Sequence, residues 1–220
     1  MIRRNIVLAL AGIASVGSFA AAQGKPLAKN DPQGAPIRLV VAPTGNEARY
    51  RVREQLVNLD LPNDAVGITH NVSGTLLVNP NGSIITDSSK ITVNVAVLKS
   101  DKDRRDNYIK THTMETAKYP TVTIVPKSFA GLTEKPGSAP TEFDMIGDLT
   151  VHGVTRPTTW KVKAHSEGDD IVGTATTSFT FKDFSLEQPK VSVLLSVEDT
   201  IKLEYDFRFS PADRATTHAP

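Results

Sequence analysis

Hydrolysis needs a nucleophile, a base and an orienting group brought together, and the side chains that could supply them are scattered here. The five histidines stand at positions 70, 112, 152, 165 and 218. No two have the H-x-H or H-x3-H spacing that aims paired imidazoles at one metal ion. Cysteine is absent, which excludes disulfides, a thiolate nucleophile and any Cys-ligated metal. There is no G-x-S-x-G elbow and no G-x-x-x-x-G-K-[ST] or G-x-G-x-x-G phosphate loop. The expectation is therefore no catalytic residue, no metal, no cofactor and no enzyme. Asn71-Val72-Ser73 and Asn81-Gly82-Ser83 fit the glycosylation acceptor pattern, but read as a strand and a turn. The pair Arg105-Asp106 has two readings. It contacts a ligand head group at the mouth of a binding site, or it ties a long loop to the body of the protein. The second is the commoner use of charges at a strand-to-loop junction.

The elements that would position these groups show a period of two, which places alternate residues on opposite faces of a sheet. Ile201, Leu203, Tyr205, Phe207 and Phe209 alternate with Lys202, Glu204, Asp206 and Arg208. Ile91, Val93, Val95 and Val97 form a second row, Trp160, Val162 and Ala164 a third, and Gly173, Ala175, Thr177, Phe179 and Phe181 a fourth. Phe143, Met145, Gly147, Leu149 and Val151 are a fifth, broken by Ile146. The pattern predicts about eight strands, at 48–57, 68–78, 90–99, 121–130, 141–151, 155–166, 170–182 and 198–209. Turn signals such as Asn79-Pro80-Asn81-Gly82 and His152-Gly153 separate most of them. Many short strands with little helix make an all-β sandwich or barrel. The segment from Ser100 to Tyr119 is charged and aperiodic. It predicts a long loop with one short helix, capped by Ser100 or Asp101, of the kind that covers a barrel mouth.

Apolar rows facing inward from eight strands leave an interior that side chains fill or that holds one slender ligand. The residues expected to line it are Val93, Val95, Val97, Ile124, Met145, Trp160, Val162, Phe179, Phe181, Leu203, Tyr205 and Phe207. Small side chains such as Val93, Val95, Val97, Gly173 and Ala175 favour a tunnel, while Trp160, Phe179, Phe181, Tyr205 and Phe207 plug one end. A core filled throughout, with the long loop docking a partner, is the alternative.

Residues 1–22 read as an export signal: Arg3 and Arg4, the apolar stretch Ile6–Phe19, then Ala20-Ala21-Ala22. The apolar stretch is short for a bilayer span, which takes about 20 residues. The chain has 25 basic and 24 acidic residues. Cleavage after residue 22 removes two arginines, so 23 bases face 24 acids. That balance gives no reason to expect a nucleic-acid partner. The domain reading is a signal peptide at 1–22, a Pro- and Gly-rich flexible leader at 23–46 with one short extended piece at Ile37–Val41, a β domain at 47–209 and a disordered tail at 210–220.

Three segments, in this order, resemble the YceI-like family. Arg105-Asp106, Met114-Glu115 and Lys118-Tyr119-Pro120-Thr121 resemble its R-D…Y-P segment. Gly147-Asp148-Leu149-Thr150-Val151-His152-Gly153-Val154-Thr155-Arg156-Pro157 resembles its G-x-L-T-x-x-G-x-T-x-P segment. Phe181-Lys182-Asp183-Phe184 is similar to its R-x-D-F segment. The resemblance implies a single eight-stranded antiparallel lipocalin-like barrel, periplasmic or secreted. It also implies a lipid-like ligand, a polyisoprenoid or isoprenoid quinone, in the barrel interior. No stable membrane insertion is expected of the mature chain, and the sequence allows a homodimer.

Overall fold

The computed structural model describes residues 34–215. The expected export signal, most of the leader and residues 216–220 lie outside the described residues. Eleven strand segments follow one another: β1 (Ile37–Val41), β2 (Glu47–Leu56), β3 (Asn63–Thr69), β4 (Val72–Val78), β5 (Lys90–Asn94), β6 (Lys99–Ser100), β7 (Thr121–Ala130), β8 (Thr141–Val151), β9 (Val154–Glu167), β10 (Asp170–Thr180) and β11 (Leu194–Pro211). Their pairings are antiparallel, and the sheet closes on itself through β1 and β11. The six segments β1–β6 are halves of three long strands. β1 and β2 lie along one edge of β11, β4 and β3 pair with them, and β5 and β6 pair with β4 and β3. Counted this way the barrel has the eight strands that the alternation predicts.

Each long strand breaks where side chains take over the ladder's hydrogen bonds. Between β1 and β2 the buried Asn46 donates from Nδ2 to Ala42 O at 2.8 Å. Its Oδ1 accepts from the Tyr205 hydroxyl at 2.8 Å and from Arg208 N at 3.1 Å. Leu39 and Val41 of β1 pack against the core, so the barrel begins inside the expected leader. Five residues between Gly- and Pro-rich flanks are too few to show a period. At the other end β11 runs to Pro211 and a helical turn follows at Ala212–Ala215, so the tail is ordered further than the sequence reading placed it. β3 was not foreseen as far back as residue 63, because Ala65 and Gly67 give its inward row little apolar signal.

The ends of the barrel follow local rules. His152 (φ 50°) and Gly153 (φ 76°) form the two-residue turn between β8 and β9. Both left-handed residues suit the primed turns that match strand twist. The expected helix forms as α1 (Asp103–Tyr108), followed by a π-helical turn at Ile109–Thr113. Its N-cap is Lys102, with no side-chain cap bond. The outward rows make a charge ladder across three strands. Arg49 Nη2 lies 2.7 Å from Asp206, Arg51 Nη2 lies 3.3 Å from Glu204, and Arg53 Nη1 lies 3.0 Å from Asp64. Burial works against the charge on Glu204, but hydrogen bonds from Lys202 and Arg51 hold its carboxyl down at about 2.

Candidate functional site

The barrel interior divides into two halves. The half nearer the chain ends is solid. Phe129 and Phe143 meet edge-on with centroids 5.3 Å apart, and Phe207 stands between Tyr205 and Phe209 at 5.8 and 5.7 Å. Gly173 makes room for this packing, since a Cβ there would lie 2.8 Å from Phe207 Cζ. The other half holds a cavity of about 720 Å³, within the roughly 300–1,000 Å³ range of small-molecule sites. Val93, Val95, Val122, Ile124, Ile201 and Leu203 supply aliphatic wall. Trp160, Phe179, Phe181 and Tyr205 supply aromatic wall. Trp160 spends its indole N–H on Thr158 Oγ1 at 3.0 Å, so only carbon faces the space.

Local sequence explains why these groups stay in place. Thr180 and Asp183 form a reciprocal cap on the 3-10 turn Phe181–Phe184. Asp183 Oδ2 accepts from Thr180 N at 2.7 Å and from Thr180 Oγ1 at 2.8 Å, and these bonds hold its carboxyl below the usual range. The turn sends Phe181 to the cavity wall and buries Phe184 beside Phe179, with centroids 4.5 Å apart. Gly153 keeps the long loop close to the barrel end, because a Cβ there would lie 2.7 Å from Tyr119 Cε1. His152 Nε2 reaches Glu115 Oε2 in that loop at 2.6 Å.

At the mouth, the inward row of β2 runs Ala48, Tyr50, Val52, Glu54 and Leu56. It therefore buries one carboxylate. Arg105 on α1 meets Glu54 Oε1 at 2.5 Å, pairs also with Asp101, and donates to Ser100 Oγ at 3.3 Å. Asp106 is buried as well. Its Oδ1 accepts from Ser100 N at 2.9 Å and Ser100 Oγ at 2.6 Å, while its Oδ2 has no hydrogen-bond partner. Arg105 and Asp106 thus fasten the loop over the cavity, and Arg105 also lines it. The Tyr50 ring lies against Gly67, and burial pushes its phenol well above the ordinary range.

Of the residues expected to line the interior, Val93, Val95, Ile124, Trp160, Phe179, Phe181, Leu203 and Tyr205 are on the cavity wall. Met145, Val162 and Phe207 are buried in the core but off that wall. They belong to the solid half, so of the five bulky residues Phe207 helps plug it, with Tyr205 at its boundary with the cavity. Val97 is corrected outright. β5 ends at Asn94, Leu98 N turns back to Val95 O at 3.3 Å, and Val97 is half exposed. The sequence reading missed Glu54, whose inward position was readable from the alternation. It also missed Tyr108, Ile109 and Met114 of the loop and Val191, Val193 and Leu194, all on the wall, which no periodicity marks. Among the described residues no three His, Asp or Glu side chains gather as a metal site.

A closed eight-stranded antiparallel barrel with an apolar interior space defines a lipocalin-like protein. The YceI-like domain model matches residues 40–209, and the chain belongs to that family. Protein YceI of Escherichia coli is 30% identical over 125 residues, 51% of this chain and 62% of that protein. The match therefore spans somewhat under two thirds of that relative. The fold is similar to a polyisoprenoid binding domain from Saccharophagus degradans, with a TM-score of 0.62 and 13% identity over 80% of this chain and 99% of that one. It is also similar to Burkholderia cenocepacia BcnA, with a TM-score of 0.58 and 15% identity over 76% of this chain and 98% of that one.

Proposed function

We propose that this protein is an exported carrier or storage protein that holds one long-chain lipid, a polyisoprenoid or an isoprenoid quinone, in the open half of its barrel. The observation that carries this reading is the apolar cavity of about 720 Å³ beneath a fastened loop. Transfer of apolar surface into such a space contributes on the order of 25 cal/mol per Å². The polyisoprenoid binding domain of S. degradans, which shares the fold, supports a chain-like ligand. The export signal read at residues 1–22 supports a periplasmic or secreted address. A core filled from end to end finds no support, because only one half is solid.

Trp160 is the one tryptophan of the chain and lies on the cavity wall, so it reports occupancy. Titration with decyl-ubiquinone in detergent-free buffer is expected to quench its fluorescence saturably at one equivalent. A linear, unsaturable decrease, equal to that of free tryptophan, would overturn the reading.

A further inference from the structure

Five of the large aliphatic side chains exposed on the described residues gather at one place. Val57, Leu59 and Leu61 occupy the β2–β3 tip, with Leu61 76% exposed, and Val193 and Leu195 stand where the chain enters β11, with Leu195 65% exposed. Val57 N donates to Val193 O at 3.0 Å, and Leu56 pairs with Leu194. The two runs are therefore one surface. Residues 57–62 carry one charge, Asp60, and residues 189–195 carry one, Lys190.

This patch is continuous with the cavity. Val193 is half exposed and also lines the cavity, and Leu56, Asn58, Val191 and Leu194 carry the wall inward from it. A contiguous exposed apolar patch marks a contact with protein or membrane, and the cavity mouth decides between them. A protein seated on the rim would shut the mouth. A bilayer pressed against it would join the cavity's apolar interior to acyl chains, so that a water-insoluble ligand crosses no water.

Resting on the lipid-carrier reading above, we propose that the rim formed by residues 57–61 and 191–195 docks into the surface of a lipid bilayer, where ligand passes between the membrane and the cavity. One charge of each sign gives no net attraction to anionic lipid. Docking is by insertion of aliphatic side chains into the head-group and acyl boundary, and neutral lipid suffices.

The test is co-sedimentation of the mature chain, from residue 23 onward, with phosphatidylcholine vesicles, comparing it with Leu61→Asp/Leu195→Asp. Without the apolar export signal read at residues 1–22, partition reports the rim. The double variant is expected to lower the partition coefficient at least tenfold. That ratio is expected to persist at about 1 M salt, where charges are screened within about 3 Å. Ile146→Asp, at an exposed aliphatic on the outer face of β8, is expected to leave partition unchanged. Equal urea midpoints show that the fold is kept. Unchanged partition of the double variant, or no partition of the parent chain, overturns the proposal. So does binding confined to anionic vesicles and lost in salt. A dimer in sedimentation equilibrium that the same substitutions dissolve would make the patch a contact between copies instead. Trp160 quenching in vesicle-free solution separates the two readings. Saturable quenching with rim-independent partition sinks docking alone, and absent quenching sinks the carrier reading with it.

Discussion

Arg105→Met removes the guanidinium that fastens the long loop while keeping an apolar stem of similar length. Glu54 is then left at an inward position of β2, 6% exposed and without its partner. Breaking a buried pair by deleting one member costs roughly 3–5 kcal/mol, because the remaining charge is uncompensated. The Arg105 side chain is 13% exposed at the cavity mouth, and water reaching Glu54 puts the loss at the lower end, about 3 kcal/mol. For a domain of this size that is roughly 6–12 °C in Tm. Urea unfolding at pH 7 reads it directly, with an unchanged m-value showing that the native and denatured states are otherwise alike. The double variant Arg105→Met/Glu54→Leu removes both charges and should regain most of the loss, since a buried pair and its apolar replacement are often near balance. A loss below about 1 kcal/mol for the single variant, or a double variant that loses the sum of the two singles, would refute the claim that this pair is buried and coupled.

Further consequences can be checked with equally simple assays. Gly153→Val forces a β-branched residue into φ 76° and against Tyr119; a loss of about 2 kcal/mol or more is expected in urea titration, and wild-type stability would contradict the turn geometry. Val95→Trp places an indole in the cavity and should abolish lipid uptake while costing about 1–3 kcal/mol, with native mass spectrometry and thermal melts as the two readouts. Glu204 is held at about 2, below its ordinary value of 4.5, so its contribution is fully present above pH 5 and is lost as pH falls toward 2. The full linkage would be about 3 kcal/mol, and screening on the barrel's outer face leaves about 1–2 kcal/mol. Glu204→Gln should therefore lower stability at pH 7 and converge with the parent chain near pH 2 in urea titrations.

The fold was legible because alternation survives wherever a strand is long. β7 and β8 begin and end where the pattern predicts. Of the three interrupted strands, β5 with β6 reads as one strand at 90–99, whereas β1 reads as a separate extended piece of the leader and only the end of β3 joins β4 in the predicted 68–78. Legibility failed where the backbone leaves the ladder. Val97 continues the parity of Val93 and Val95 in the sequence, yet the chain turns at Val95 and carries it outward. The cavity was harder to read. Small residues mark it only in part: Val93 and Val95 line it, but Gly173 lies against the Phe207 ring and helps make the solid half. Space depends on what faces a residue across the barrel, which a single strand's sequence does not record. Glu54 was readable in principle, as a carboxylate in an inward row that must find a cation, and Arg105 was singled out without its partner. Loop residues such as Tyr108 and Met114 follow no period, so only the folded chain shows them on the wall.

Native mass spectrometry of the protein purified from its own host tests most directly whether the open half of the barrel carries a lipid. The account predicts an adduct of lipid mass that departs on gas-phase activation and that is absent from Val95→Trp. Preparations that fly repeatedly as the bare polypeptide, together with no saturable uptake of quinone analogues, would contradict it.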